Sequence, residues 1–438
     1  MSPLDAHQGT TRRTSERTVR PIRVAMASFI GTAVEWYDYF IYGMAAALVF
    51  GPQFFPGFSP LAGTLASFAT FSVGFLARPI GGVVMGHFGD RVGRKSMLVT
   101  SLMLMGLATV GIGLLPTYAT IGVWAPILLV LLRLLQGVGV GGEWGGAVLM
   151  AVEHAPPRRR TFYGSFPQMG VPGGFVLASL VYLVMTASLS PETMAGWGWR
   201  VPFLASAVLL AVGLVIRLSI AESPAFQEVK AAGRQERLPV LVVLRKNLKQ
   251  VLVAAGAFAG NNALGYIFMA YLLSYTTTVL ELDRGTILAF IVAGSAVWLV
   301  VTPIACLLCD RYGARPVLLF GSAGQIVWAA ALFPLVNTAS PALILVAIIG
   351  LAVFLAIVYG PLAVLFAELF SAEVRYSGAS LGYQLGSILG GGLAPTVATA
   401  LYVTWNSTTP ISAYLTVMAV VCLACLAHLT RRTRVKRG

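Results

Sequence analysis

Gly89-Asp90-Arg91-Val92-Gly93-Arg94-Lys95 is a densely charged loop between two long apolar runs, and it recurs in weakened form as Cys309-Asp310-Arg311-Tyr312-Gly313-Ala314-Arg315. A second pair of matches stands in register with the first. Glu153 lies seven residues before Arg160, and Glu368 lies seven before Arg375. The chain therefore reads as two halves built on one plan.

Working outward, 57% of the 438 residues are hydrophobic and only 11% are charged, whereas charged residues make up about a quarter of a soluble globular protein. This composition is that of an all-α, polytopic membrane protein. Apolar runs of about 20 residues, the length that crosses hydrocarbon, start near Val24, Leu61, Ser96, Ala125, Phe162, Val201, Val251, Ile287, Pro316, Pro341, Tyr376 and Ile411. The connections starting near Gly51, Pro116, Asn337 and Val403 carry no Lys or Arg, while the intervening ones are basic. That alternation is the positive-inside pattern and places both termini in the cytoplasm.

The expected organisation is a cytoplasmic tail (1–23) with Arg12, Arg13, Arg17, Arg20 and Arg23, a six-helix bundle (24–220), a cytoplasmic linker (221–250) with short interfacial helices, a second six-helix bundle (251–430) and a basic tail (431–438). No small-residue cleavage site precedes a short apolar stretch, so the first helix itself is expected to direct insertion. The net charge of +14 follows from topology and from attraction to anionic lipid head groups, and nucleic acid is not an expected partner. Cys306, Cys309, Cys422 and Cys425 form two C-x-x-C spacings in apolar helical runs with no neighbouring His set. They read as packed thiols, and no metal is expected.

On this topology all Lys and Arg but four fall on the cytoplasmic side, Arg217 at the end of the sixth run included. Arg200 and Arg284 lie on the other side, which leaves Arg78 and Arg133 inside the membrane; among the acids, Glu35, Asp38 and Glu143 lie inside. Charges at that depth are costly and usually face a bundle interior or a cavity. At about 1.5 Å of rise per residue, Glu35, Arg78 and Glu143 form a lower cluster, with Asp38 and Arg133 above it. A buried carboxylate whose cationic partner moves changes its proton affinity, so Asp38, with Glu35, is the expected proton-coupling site. Arginine stays charged and its planar fork can grip a carboxylate at two points, so Arg133 or Arg78 is expected to meet an anionic substrate. The alternative is a set of static pairs that fix helix packing, and for Glu143, set among glycines, a structural role stands beside a substrate-binding one.

The second half brings no buried charge, so Asn261, Asn262, Tyr266, Tyr359 and Gln384, with Trp36 and Gln168 from the first half, are the expected uncharged substrate contacts. The i,i+4 glycine ladders Gly378, Gly382, Gly386, Gly390 and Gly137, Gly141 allow close helix approach. The charged loop reads as a latch between alternate conformations, built from Gly86, Asp90, Arg91, Gly93, Arg94, Lys95, Glu153 and Arg160 with Asp310, Arg311, Glu368 and Arg375. Ala314 stands where the first copy has Arg94, so the latch is expected to be unequal between halves.

Gly86-His87-Phe88-Gly89-Asp90-Arg91-Val92-Gly93-Arg94-Lys95 resembles the signature loop of the major facilitator superfamily, and Arg133-Leu134-Leu135-Gln136-Gly137 and Glu222-Ser223-Pro224 resemble further motifs of it. Glu35-Trp36-Tyr37-Asp38, Arg78-Pro79-Ile80-Gly81-Gly82, Gly141-Gly142-Glu143-Trp144-Gly145-Gly146 and Trp197-Gly198-Trp199-Arg200-Val201-Pro202-Phe203 narrow the likeness to the metabolite:proton symporters. Gly86 to Ala155 is most similar to bacterial shikimate transporters. The resemblance covers nearly the whole chain and is densest in the first half. It implies two pseudo-symmetric bundles in a bacterial cytoplasmic membrane that import a small organic acid with protons by alternating access. The coupling ion is the proton, with no other cofactor, and the partners are the substrate, protons and lipid, with the chain acting as a monomer. Zwitterions of the proline or betaine type are the alternative cargo, and proton-driven efflux the alternative direction; Gly170-Val171-Pro172-Gly173-Gly174 matches the drug-antiporter element only loosely. An enzyme is not expected, since neither H-E-x-x-H nor G-x-S-x-G occurs.

Overall fold

In hydrocarbon every backbone N–H and C=O must be satisfied within its own segment, so an apolar run long enough to cross becomes a helix. A computed structural model describes residues 21–435. Residues 1–20 of the expected N-terminal tail, with Arg12, Arg13, Arg17 and Arg20, and the last three residues lie outside the described residues, while its end, with Arg23, is the start of the first helix.

The spanning helices are α1 (Pro21–Ala45), α2 (Pro60–Arg91), α3 (Arg94–Leu114), α4 (Trp124–Glu153), α5 (Arg160–Ser188), α6 (Arg200–Leu218), α7 (Leu248–Tyr266), α8 (Arg284–Tyr312), α9 (Ala314–Val336), α10 (Pro341–Leu369), α11 (Arg375–Ser387), whose span continues through a π-helical turn (Ile388–Gly392) into Ala394–Trp405, and α12 (Thr409–Val435). Each begins within three residues of its expected start, the largest offsets being those at Pro21, Leu248 and Arg284. Eleven helices among the described residues meet a length-and-apolarity criterion for crossing a membrane, and α1, which carries Arg23, Glu35 and Asp38, is not one of them. It is nevertheless packed along α5 and against α4 and α6, completing the first six-helix bundle. The linker between bundles carries two short helices, Pro224–Ala231 and Pro239–Lys246.

The repeat read from sequence is visible in the backbone. Gly93 and Gly313 hold equivalent positions, have φ of +132° and +91°, and stand at the N-termini of α3 and α9. Only glycine adopts such angles without strain, which explains the glycine at that place in both loops. α1 and α7 are also equivalent, and each passes into a π-helical turn, Ala46–Phe50 and Ile267–Tyr271. The bundles meet where α2 and α4 pack on α11, and where α5 packs on α8 and α10.

Candidate functional site

Six charged side chains inside the first bundle are each exposed by 4% or less: Glu35, Asp38, Arg78, Arg133, Glu143 and Arg217. This corrects the expectation of five such residues confined to the first four helices. Arg217 does not reach the basic face. It turns inward from the last turn of α6, where Glu143 of α4 accepts from both its terminal nitrogens. Ser101 of α3 donates to the same carboxylate at 2.9 Å, and Leu98 O accepts from the guanidinium. Glu143 is therefore fully engaged, with its back to the second bundle. The Arg217 guanidinium lies against Gly31 of α1, where an added Cβ would collide with it.

Asp38 is held differently. Ser206 of α6 donates to one carboxylate oxygen at 2.5 Å and Thr109 of α3 to the other at 2.9 Å. Thr109 Oγ1 accepts from Gln136 Nε2 at 2.8 Å, and Gln136 Oε1 accepts in turn from Arg133. Three donors in line thus run from Arg133 to Asp38, joining the two upper charges without a direct ion pair. Arg133 otherwise rests on aromatic faces, 4.1 Å from the ring centre of Tyr42 and 4.8 Å from those of Tyr39 and Phe71, with Nε and Nη2 unbonded.

Glu35 and Arg78 form no ion pair with each other or with any other described residue. Glu35 Oε2 has no hydrogen-bond partner, and neither have Arg78 Nε and Nη1. Arg78 sits in an aromatic cage, 5.3 Å from the ring centres of Trp36 and Phe75 and 6.0 Å from that of Tyr39. Tyr39 and Tyr266 bring unbonded hydroxyls to the same neighbourhood. A buried polar group without a partner costs on the order of 1–3 kcal/mol, more if charged, so this cluster is built for something besides packing.

The cage adjoins a cavity of about 20 Å³ between the bundles, walled by Trp36, Asn261, Asn262, Tyr266, Trp298, Tyr359 and Tyr383 among others. That is space for about one water molecule, so the central space is nearly closed. Asn261 is tied to Gln325 of α9 at 2.7 Å, and Asn262 donates to Ser387 O at 3.2 Å. Gln168 accepts from Trp144 Nε1 and donates to Tyr359 O, both at 2.6 Å. Gln384 donates to Gly141 O at 2.7 Å and leaves its Oε1 unbonded. Trp144 of the first bundle stacks on Tyr383 of the second, with ring centres 3.9 Å apart. Trp36, Asn261, Asn262, Tyr266 and Tyr359 thus share one wall, whereas Gln168 and Gln384 tie the bundles together beside it.

At the basic face the two charged loops do the same job in opposite directions. Asp90 accepts from the backbone N–H groups of Tyr376 and Ser377 at 3.1 and 2.9 Å, in the first turn of α11. Asp310 accepts from those of Thr161 and Phe162 at 3.0 and 2.8 Å, in the first turn of α5. Each carboxylate caps a helix of the other bundle, where the dipole favours negative charge. The first copy adds cations around its aspartate: Arg94 pairs with Asp90 at 3.5 Å and Glu153 at 3.7 Å and donates to Ala372 O at 3.1 Å, and Arg375 pairs with Glu153 at 2.9 Å. Glu222 accepts from the backbone of Arg94 and Lys95, and Ser223 donates to Glu153, so the linker's start joins the latch.

Gly86 packs on Ser377. Arg91, Arg160 and Arg311 are exposed; Arg160 and Glu368 line clefts on this face. Arg217, Thr109, Ser206, Gln325 and the aromatic pair Trp144 and Tyr383 escaped the sequence reading. The four cysteines are unpaired thiols within the helix packing.

Residues 28–382 match the family described as Major Facilitator Superfamily. The chain belongs to that family. It is 44% identical over 418 residues to the inner membrane metabolite transport protein YhjE of Escherichia coli K12, covering 94% of each chain. It is 41% identical over 389 residues to the shikimate transporter of the same organism, covering 87% of this chain and 88% of that one. Among solved structures, the proton:xylose symporter XylE bound to 6-bromo-6-deoxy-D-glucose superposes with a TM-score of 0.74 at 18% identity, covering 92% of this chain and 94% of the other. The fold is the major facilitator fold, and the protein is a multi-pass transporter of a bacterial inner membrane rather than an enzyme.

Proposed function

We propose that this transporter imports a small organic acid together with protons, with the basic face in the cytoplasm. The observation that carries the reading is Arg78: a buried guanidinium with two unbonded nitrogens, caged by aromatic rings of which Trp36 also lines the cavity between the bundles, with Glu35 and Asp38 on the neighbouring helix α1. The free fork suits a carboxylate, and the rings of Trp36, Tyr266 and Tyr383 suit the carbon body of a compact, partly apolar acid. A shikimate-like hydroxy acid fits that description, and the similarity to a shikimate transporter supports it. Asp38 and Glu35 serve as the proton-coupling acids, with Arg133 acting on Asp38 through Gln136 and Thr109. One chain contains both bundles and hence the whole route.

The test is uptake of labelled shikimate, citrate, 2-oxoglutarate and betaine into proteoliposomes under an imposed proton gradient. Accumulation of an acid with co-uptake of protons is expected, and Asp38→Asn should abolish gradient-driven accumulation. Arg78→Lys, which keeps the charge but loses the fork, should raise the half-saturating concentration by roughly ten-fold. Undiminished accumulation in Asp38→Asn sinks the proton assignment; betaine as the preferred cargo sinks the organic-acid reading.

A further inference from the structure

In this conformation the path between the bundles is shut toward the basic face. Trp144 lies on Tyr383, Tyr376 donates to Gly142 O at 2.6 Å, and Asp90 caps α11 below them. A second path lies wholly inside the first bundle. One face of α1 carries Ser28, Gly31, Glu35 and Asp38 at helical spacing, and all four positions are buried. Ser28 opens on a narrow crevice at the basic face that is lined by Lys95 and ends at Arg217. Arg217 covers Gly31 and is bound to Glu143; one turn further along α1 is Glu35 with its unbonded oxygen, and beyond it Asp38.

We propose that protons pass between Glu35 or Asp38 and the cytoplasm through the interior of the first bundle, along the seam of α1, α3 and α6, with the Arg217–Glu143 pair as the barrier that must part. This route is separate from the one the substrate takes between the bundles. It rests on the reading of Glu35 and Asp38 as proton-coupling acids and adds the way in and out. The proton leaving Glu35 restores the carboxylate and ends on water in the crevice, and nothing else is consumed. The charged and titratable groups around this path are Tyr37 of α1, whose hydroxyl donates to Pro202 O of α6, Arg78 from α2, Lys95 at the mouth from α3, Arg133 and Glu143 from α4, Arg217 from α6 and Tyr376 of α11, whose hydroxyl donates to Gly142 O next to Glu143. With Glu143 and Arg217 paired, the barrier is electrically closed: neither member has an open side for a passing proton.

Hydrogen–deuterium exchange of protonated carboxyl groups, read by infrared spectroscopy on the full-length protein in lipid, tests this without any substrate. The carboxyl bands are assigned by their loss in Glu35→Gln and Asp38→Asn. Glu143→Gln, which keeps the shape and loosens the barrier, should speed exchange of the assigned bands by about ten-fold or more. Ser28→Leu, which fills the crevice, should slow it by about as much. Unchanged exchange in both variants overturns the route. So does acceleration in Asp90→Asn, which loosens the cleft between bundles, as large as that in Glu143→Gln. If no band is lost in either assigning variant, the proton-coupling reading itself fails, a result distinct from either of these.

Discussion

Asp38 and Arg133 show how a single hydroxyl can decide the meaning of two charges. Thr109 is the only described side chain that links the Asp38 carboxylate to Gln136 and so to Arg133. Thr109→Val keeps the shape and removes the link. Hydrogen bonds to charged groups contribute on the order of 1.5–3 kcal/mol, so the variant should lower gradient-driven accumulation by roughly ten-fold. Exchange of bound substrate across the membrane at equal pH, which needs no net proton movement, should survive. A loss of both activities in a folded variant would mean that Thr109 only holds helices together. At this scale the sequence showed five of the six buried charges, but not Arg217 and not how any of them pair. Arg217 illustrates why: it lies one residue from the end of an apolar run, where a one-turn difference in depth separates a solvated arginine from a buried one, and no pattern within α6 reports the carboxylate waiting on α4.

Helices were the most legible level, because hydrocarbon leaves an apolar run of this length no other structure. The glycine spacings also carried information that the structure explains. Gly141 of α4 faces the Arg78 carbonyl of α2, and Gly137 faces that of Gly74, so the two backbones touch where larger residues would hold them apart. Gly386 of α11 and Gly390 of the π-helical turn that follows it face the carbonyls of Ala255 and Ala259 on α7 in the same way. The glycines around Glu143 have a second use: Gly145 and Gly146 admit Tyr376 of the other bundle, while Glu143 faces the opposite way toward Arg217. Gly141→Ala should cost ~1–3 kcal/mol through overpacking against a backbone atom that cannot yield. Because that atom belongs to Arg78, the variant should also weaken substrate binding. Thermal unfolding and binding measured on the same purified sample would check both, and unaltered binding in a destabilised variant would show that the Arg78 backbone does not set its side chain.

Across the whole molecule, the repeat predicts symmetry and the charges break it. Both loops place an aspartate on the first turn of a helix in the opposite bundle; Asp90 is backed by Arg94, which also reaches Glu153 and so Arg375, while Ala314 fills the place equivalent to Arg94 beside Asp310. The inequality was readable from the lost arginine. That the aspartates cap helices across the bundle interface was not, since capping depends on how two distant segments meet. The arrangement makes two latches of unequal strength. Removing the charge at Asp310 costs one helix cap. Removing it at Asp90 costs a cap and also leaves the buried Arg94 short of a partner, a loss of charge-assisted contacts roughly twice as strong as neutral ones. Hydrogen exchange read by mass spectrometry at the first turns of α11 and α5 separates the two. Asp90→Asn should raise exchange at Tyr376 and Ser377 by about ten-fold or more, and Asp310→Asn should raise it at Thr161 and Phe162 by only a few-fold. Equal increases at both ends would mean that the aspartate caps alone hold the basic face shut and that the arginine cluster serves another purpose.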